Sequence, residues 1–212
     1  MTEVDGKLPT LRLRLPGQWW QIPLRDRDEA RESIRRLVSR QLGSADVHAQ
    51  AREELRRHLL AALEQSIAGD GQSFHVALEL VPGIPIPVAI SVALPRQAIT
   101  PAVGTSPEAV MAVLDQGLEL AAVESWPTAH RFESRGSSVL RLHRHQAVEP
   151  ADGKEPLDGL AADYWMTVPG TKRFILVSFS TAFGPLEEVM LTFFDSIVHA
   201  AYWETAPAPS LI

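Results

Sequence analysis

The chain is predicted to be an α+β fold in which an antiparallel β-sheet is flanked by helices. Three observations predict it. Residues 161–203 read as strand, tight turn, strand and helix, residues 26–68 read as two helices, and the other strands are joined mostly by turns. With 212 residues and 45% hydrophobic content the chain can bury a sizeable core, so a single domain spanning 1–212 is expected.

From the N-terminus, residues 10–15 alternate, with Leu11, Leu13 and Leu15 to one side and Arg12 and Arg14 to the other. That is the pattern of a half-buried strand. Pro16-Gly17 turns it, and 18–22 reads as its hairpin partner. Trp19 and Trp20 are adjacent on a strand and point to opposite faces. One is expected in the core and the other beneath the following helices; an exposed aromatic anchor is the alternative.

The period then changes to helical. Asp26 or Asp28 can cap a first helix whose stripe is Ile34, Leu37, Val38 and Leu42, and Gly43 stops it. Ser44 can cap a second, carrying Val47, Leu55, Leu59, Ala62, Leu63 and Ile67. So short a link predicts an antiparallel helical hairpin. Arginines on its outer faces, Arg35 and Arg36 among them, interleave with carboxylates, as on a solvated surface.

Residues 73–80 and 88–94 alternate as strands. The second shows Val88, Ile90, Val92 and Leu94 on one face and small Ala89, Ser91 and Ala93 on the other. The proline-rich link 81–87 is expected to pack over the core, with a docking edge as the alternative. A short helix is predicted from Ser106 to about Leu114 or Gln116, then strands at 118–123, 130–134 and 138–146. Residues 147–159 are expected to form a mobile polar loop. The final hairpin turns on Pro169-Gly170. Its helix opens at Gly184-Pro185 and presents Leu186, Val189, Met190, Phe193, Phe194, Ile197, Val198 and Ala201 as one apolar stripe.

The totals narrow the function classes. A net charge of −6 argues against a nucleic-acid partner. Without cysteine there is no disulfide frame, thiolate zinc site or cysteine nucleophile. No membrane span is predicted, since the uncharged run at 80–95 is short and broken by prolines. Residues 1–6 are acidic and polar, unlike a secretory signal, so a cytoplasmic location is expected. The absence of asparagine and the excess of arginine over lysine point to a GC-rich bacterial genome.

Catalytic motifs are not found: there is no Gly-x-Gly-x-x-Gly, Walker loop, His-Glu-x-x-His or Gly-x-Ser-x-Gly. His143 and His145 share a strand face, with His130 on the preceding strand. A two-residue turn at Arg135-Gly136 would set His130 diagonal to His143. A three-residue turn would pair Phe132 with Leu140, separate the histidines and bury more apolar surface, and is preferred. With Arg141 and Arg144 alongside and no carboxylate evident, no metal ligand set is expected. Asp195 and His199 read as a surface pair, and Ser178 and Ser180 as strand residues. No catalytic residue and no cofactor are predicted.

The C-terminal residues also carry a resemblance. Residues 165–170, 174–181 and 193–198, with Trp203, are similar to the ending of PsbP-like (Mog/PsbP) proteins, where a hairpin strand is followed by an LFDAI-like helix. The resemblance implies a helix-flanked antiparallel sheet. It also implies membership of a group made up mainly of binding and accessory proteins, many of them in high-GC bacteria. Residues 26–68 depart from that pattern as an inserted helical hairpin. The reading is a non-enzymatic accessory protein, chaperone-like, secretion-associated or immunity-like, whose partner is another protein. The surface expected to bind it combines Trp19 or Trp20 with Arg35 and Arg36, since tryptophan and arginine are frequent anchors. A homo-oligomer is also open to the chain. The alternative is an apolar small-molecule binder, or an enzyme, with a pocket between sheet and helices.

Overall fold

A computed structural model of the chain describes residues 8–43, 45–79, 87–95, 104–120, 128–148 and 155–204. In order the elements are β1 (Thr10–Arg12), β2 (Gln18–Ile22), α1 (Arg27–Leu42), α2 (Ala49–Ala68), β3 (Gly71–Glu79), β4 (Val88–Ala93) and α3 (Pro107–Leu120). They continue with β5 (Thr128–Ser134), β6 (Ser137–Val148), β7 (Leu157–Thr167), β8 (Phe174–Thr181), α4 (Glu187–Ala200) and β9 (Tyr202–Glu204). Among the described residues seven strands form one antiparallel sheet in the order β2-β3-β4-β8-β7-β6-β5, while β1 pairs with β9. The fold is α+β, an antiparallel sheet flanked by helices.

Helices cover both faces of the sheet. On one face α4 buries Met190, Phe194, Ile197 and Val198 against Ile90, Tyr164, Val177 and Phe179. Phe179 and Phe194 stack with centroids 4.5 Å apart. On the opposite face α1 and α2 bury Ile34, Leu37, Leu59 and Leu63 over Ile22 and Phe74 at the β2–β3 end. At the other end α3 sets Met111 over Leu140 and Leu142. The local signals for α1 operate as expected. Asp26 accepts from the backbone N–H of Asp28 and Glu29 at 2.8 and 3.2 Å, and Gly43 ends the helix at φ 65°. Arg27 reaches Glu64 at 3.3 Å, so the start of α1 lies beside the end of α2 and the pair is antiparallel.

Several expectations are corrected. β1 is not the hairpin partner of β2: Leu11 pairs with Trp203 of β9, and Trp20 of β2 pairs with Val76 of β3. Leu11, Leu13 and Leu15 pack with Trp203 on the α4-side core, and that distant apolar contact outweighs the nearby turn. Residues 118–120 extend α3 rather than start a strand, and 121–127 lie outside the described residues. Within the predicted loop 147–159, Ala147 and Val148 pair with Asp158 and Leu157; 149–154 are outside the described residues, as are Ser44 and the link at 81–86. On α4, Leu191 is buried, whereas Val189, and Leu186 just before the helix, face outward at 64% and 51% exposure.

The β5–β6 turn takes the two-residue form. Ser134 pairs with Ser137, and Arg135 and Gly136 adopt φ 49° and 78°. Two consecutive positive φ values match the twist of the flanking strands. The preferred three-residue register assumed that Phe132 and Leu140 must share one core. With both faces covered, Phe132 and Val139 go to the α4 side and Leu140 to the α3 side, so neither is exposed by the tighter turn.

Candidate functional site

Between α2 and the β6–β7 strands lies a groove of about 360 Å³ whose floor is the sheet itself. Its floor is built by register. Ser91 of β4, Ser178 of β8 and Asp163 of β7 sit opposite one another across three strands. The next row along is Ala89, Ser180, Ala161 and Arg144. Since side chains alternate faces, both rows point away from α4 and toward α2. Alanine and serine leave room that larger residues would fill, and Gln146 and Arg144 close the β6 side.

Asp163 is the chemical centre of the groove. It is partly buried. Burial raises its carboxyl above the usual range, opposed by a hydrogen bond from Ser178 and by the positive charge of Arg144. A carboxyl perturbed by desolvation, set in a cleft beside a guanidinium and hydroxyls, marks a binding-site candidate. Pockets of roughly 300–1,000 Å³ are typical of small-molecule sites. The groove has polar groups of both donor and acceptor type, unlike the apolar pocket that the alternative reading of the sequence calls for.

No protein-family model matches the chain, and no curated protein does. Among solved structures it is similar to a protein described as LpqN, involved in cell envelope biogenesis of Mycobacterium tuberculosis. The identity is 12% and the TM-score 0.45, covering 95% of this chain and 86% of that one. A likeness that distant transfers no function.

The residues singled out from sequence are dispersed. Trp19 packs on the α4-side core and donates its indole N–H to the Pro16 carbonyl at 2.7 Å. Trp20 packs on the α1–α2 core, donates to Ser33 Oγ at 2.9 Å and lies under the Arg40 guanidinium. The two indoles therefore serve opposite faces. Arg35 and Arg36 are exposed on α1, Arg35 in an ion pair with Glu32. Ser178 and Ser180, expected only as strand residues, line the groove. Asp163 and Gln146 were not singled out, and Arg144 was weighed only as a positive charge beside the histidines. Their signal is a run of polar or small side chains at every second position of neighbouring strands, which becomes a site only once the register is known.

The histidines take part in a latch on the α4 face. His145 bridges two carboxylates, Nδ1 to Asp158 at 2.7 Å and Nε2 to Glu187 at 2.6 Å. His143 Nε2 lies 3.1 Å from Glu187. The expectation of no nearby carboxylate is thus corrected: Asp158 is the second residue of β7, Glu187 starts α4, and the fold brings both to β6. Among the described residues no group of three or more such side chains is arranged to hold a metal ion. Asp195 and His199 do not pair through their side chains. The Asp195 carboxylate accepts from Arg141 at 2.5 Å and from the Tyr164 hydroxyl at 2.8 Å. His199 Nδ1–H donates to the Asp195 carbonyl at 2.8 Å and its ring stacks on Phe132.

The latch predicts a pH profile. The hydrogen bond to Asp158, then that to Glu187, raises the His145 pKa above 6.5. The hydrogen bond from His145 holds Glu187 below 4.5. The histidine contribution is complete below 6.5 and disappears as pH rises through the raised value. The Glu187 contribution is complete above 4.5 and disappears as pH falls through the lowered one. Latch stability therefore peaks between the two. Glu187→Gln is expected to flatten both arms of a plot of Tm against pH, by under about 1 kcal/mol because the groups are exposed. An unchanged profile would show that the latch is not formed in solution.

Proposed function

We propose that this protein is a non-enzymatic accessory protein that works by binding, and that its ligand sits in the groove over β4, β8 and β7. One observation carries the reading: hydroxyl, carboxyl, guanidinium and carboxamide groups from four adjacent strands converge on a ligand-sized gap beside α2. Those strands are held by two-sided packing, so the groups are positioned before any ligand arrives, which lowers the cost of binding. The PsbP-like resemblance of the C-terminal stretch supports an accessory role, secretion-associated, chaperone-like or immunity-like, in a bacterial cell. A second reading is docking of another protein through Arg35 and Arg36, favoured by their exposure on the outer side of α1.

One experiment separates the two. The tagged protein, Ser180→Phe and Arg35→Ala/Arg36→Ala are isolated gently from the native host and analysed by native mass spectrometry. Phenylalanine suits a strand but fills the floor between Ala89 and Ala161. A small-molecule adduct kept by the wild type and the arginine variant, and lost from Ser180→Phe, is the expected result. A protein partner lost only from the arginine variant would replace the groove reading with the docking one. Thermal unfolding checks that each variant is folded; the arginine changes should shift stability by no more than about 0.5 kcal/mol.

A further inference from the structure

Resting on the groove reading, the lining assigns a ligand class. We infer that the groove takes a neutral, hydroxyl-rich small molecule of the saccharide or polyol class. Three features of the lining select it.

The first is charge. Asp163 and Arg144 are diagonal neighbours, because Arg144 pairs with Ala161 and Asp163 with Leu142. Their formal charges offset one another, and their interaction is favourable. A ligand with a net charge of either sign would meet one like and one opposite charge, and would give up water around its own charge without a net counter-charge in return. A neutral ligand avoids that cost.

The second is hydrogen-bonding type. Ser91, Ser180 and Gln146 each offer both a donor and an acceptor, Ser178 gives its O–H to Asp163 and keeps acceptor lone pairs, Asp163 accepts and Arg144 donates. The partner that matches such a mixed set from several directions is itself both donor and acceptor at several atoms, which describes a polyol. A purely apolar ligand would cover Ser91, Ser180 and Gln146 without answering their hydrogen-bonding groups, at about 1–3 kcal/mol for each one left unsatisfied.

The third is size and shape. About 360 Å³ lies near the lower end of ligand pockets, too small for a folded partner. Phe74 and Leu176 add apolar surface at the margins, suited to the C–H faces that a sugar ring presents beside its hydroxyls.

The test is isothermal titration of the full-length protein with D-glucose, trehalose and myo-inositol, each up to about 10 mM, beside the charged analogues glucuronate and glucosamine. At least one neutral compound is expected to bind saturably, the charged analogues of glucose at least about tenfold more weakly than glucose, and Ser180→Phe to abolish binding. Absence of binding by all three neutral compounds, or tighter binding of a charged analogue, overturns the assignment. The failures are distinguishable. If the polyols do not bind but the host-derived adduct is lost from Ser180→Phe, the ligand class is wrong and the groove reading stands. If no adduct is lost either, both fall.

Discussion

Phe194→Ala is expected to destabilise the fold by about 3–5 kcal/mol, the usual cost of emptying a buried aromatic site. Phe194 is fully buried, stacks on Phe179 and contacts the neighbouring ring of Phe193. It projects from α4 onto the centre of the sheet, where strands on both sides hold the surrounding side chains and leave little scope for collapse around the void. At roughly 2–4 °C per kcal/mol for a chain of this size, Tm should fall by about 10 °C. Val189→Ala on the same helix is the control. That side chain is 64% exposed, and its loss should cost no more than about 0.5 kcal/mol. Urea unfolding of both variants checks the pair; equal losses would mean that α4 is docked on a different face.

Asp163→Asn is expected to do the opposite: to stabilise the fold while weakening whatever the groove holds. Burial raises the Asp163 pKa above 3.8, so the native state binds this proton more tightly than the unfolded chain does. Stability therefore falls as pH rises from 3.8 through the raised value, and above that window the full penalty of the ionised carboxylate is present. Asparagine keeps the shape and an acceptor for Ser178 but carries no charge. A gain on the order of 1 kcal/mol near pH 7 is expected, typical of relieving a functional site. The gain should shrink as the pH is lowered toward 3.8, because the wild-type group then becomes neutral too. Tm against pH for both proteins measures it. Destabilisation near pH 7 would show that the ionised carboxylate is a structural partner rather than a binding group.

Much of the architecture was legible in the sequence because it is locally encoded. The Asp26 cap, the Gly43 stop, the Pro169-Gly170 turn and the alternation of β3, β4 and β8 each depend on neighbours a few residues away, and each is where it was expected. The misreadings share a different cause. The partner of β1, the register of the β5–β6 hairpin and the outward side of α4 all depend on what lies across the sheet. A rule that assigns each strand one buried face fails where helices cover both.

The site shows the same division. Ala89, Ser91 and Ala93 announced a face of small side chains, and Ser178 and Ser180 read as strand residues, yet neither run specifies a groove. The carboxylates that engage His143 and His145 are more than ten residues away in the chain and were invisible beside them. The sequence by itself determined the α+β class, the helical hairpin and the C-terminal hairpin and helix, because short-range backbone and periodicity rules act within one element. Only the tertiary structure decided that Ser91, Ser178 and Asp163 stand in line, with Arg144 one row away. Strand order and register are set by the burial of distant side chains, and no single element carries that information.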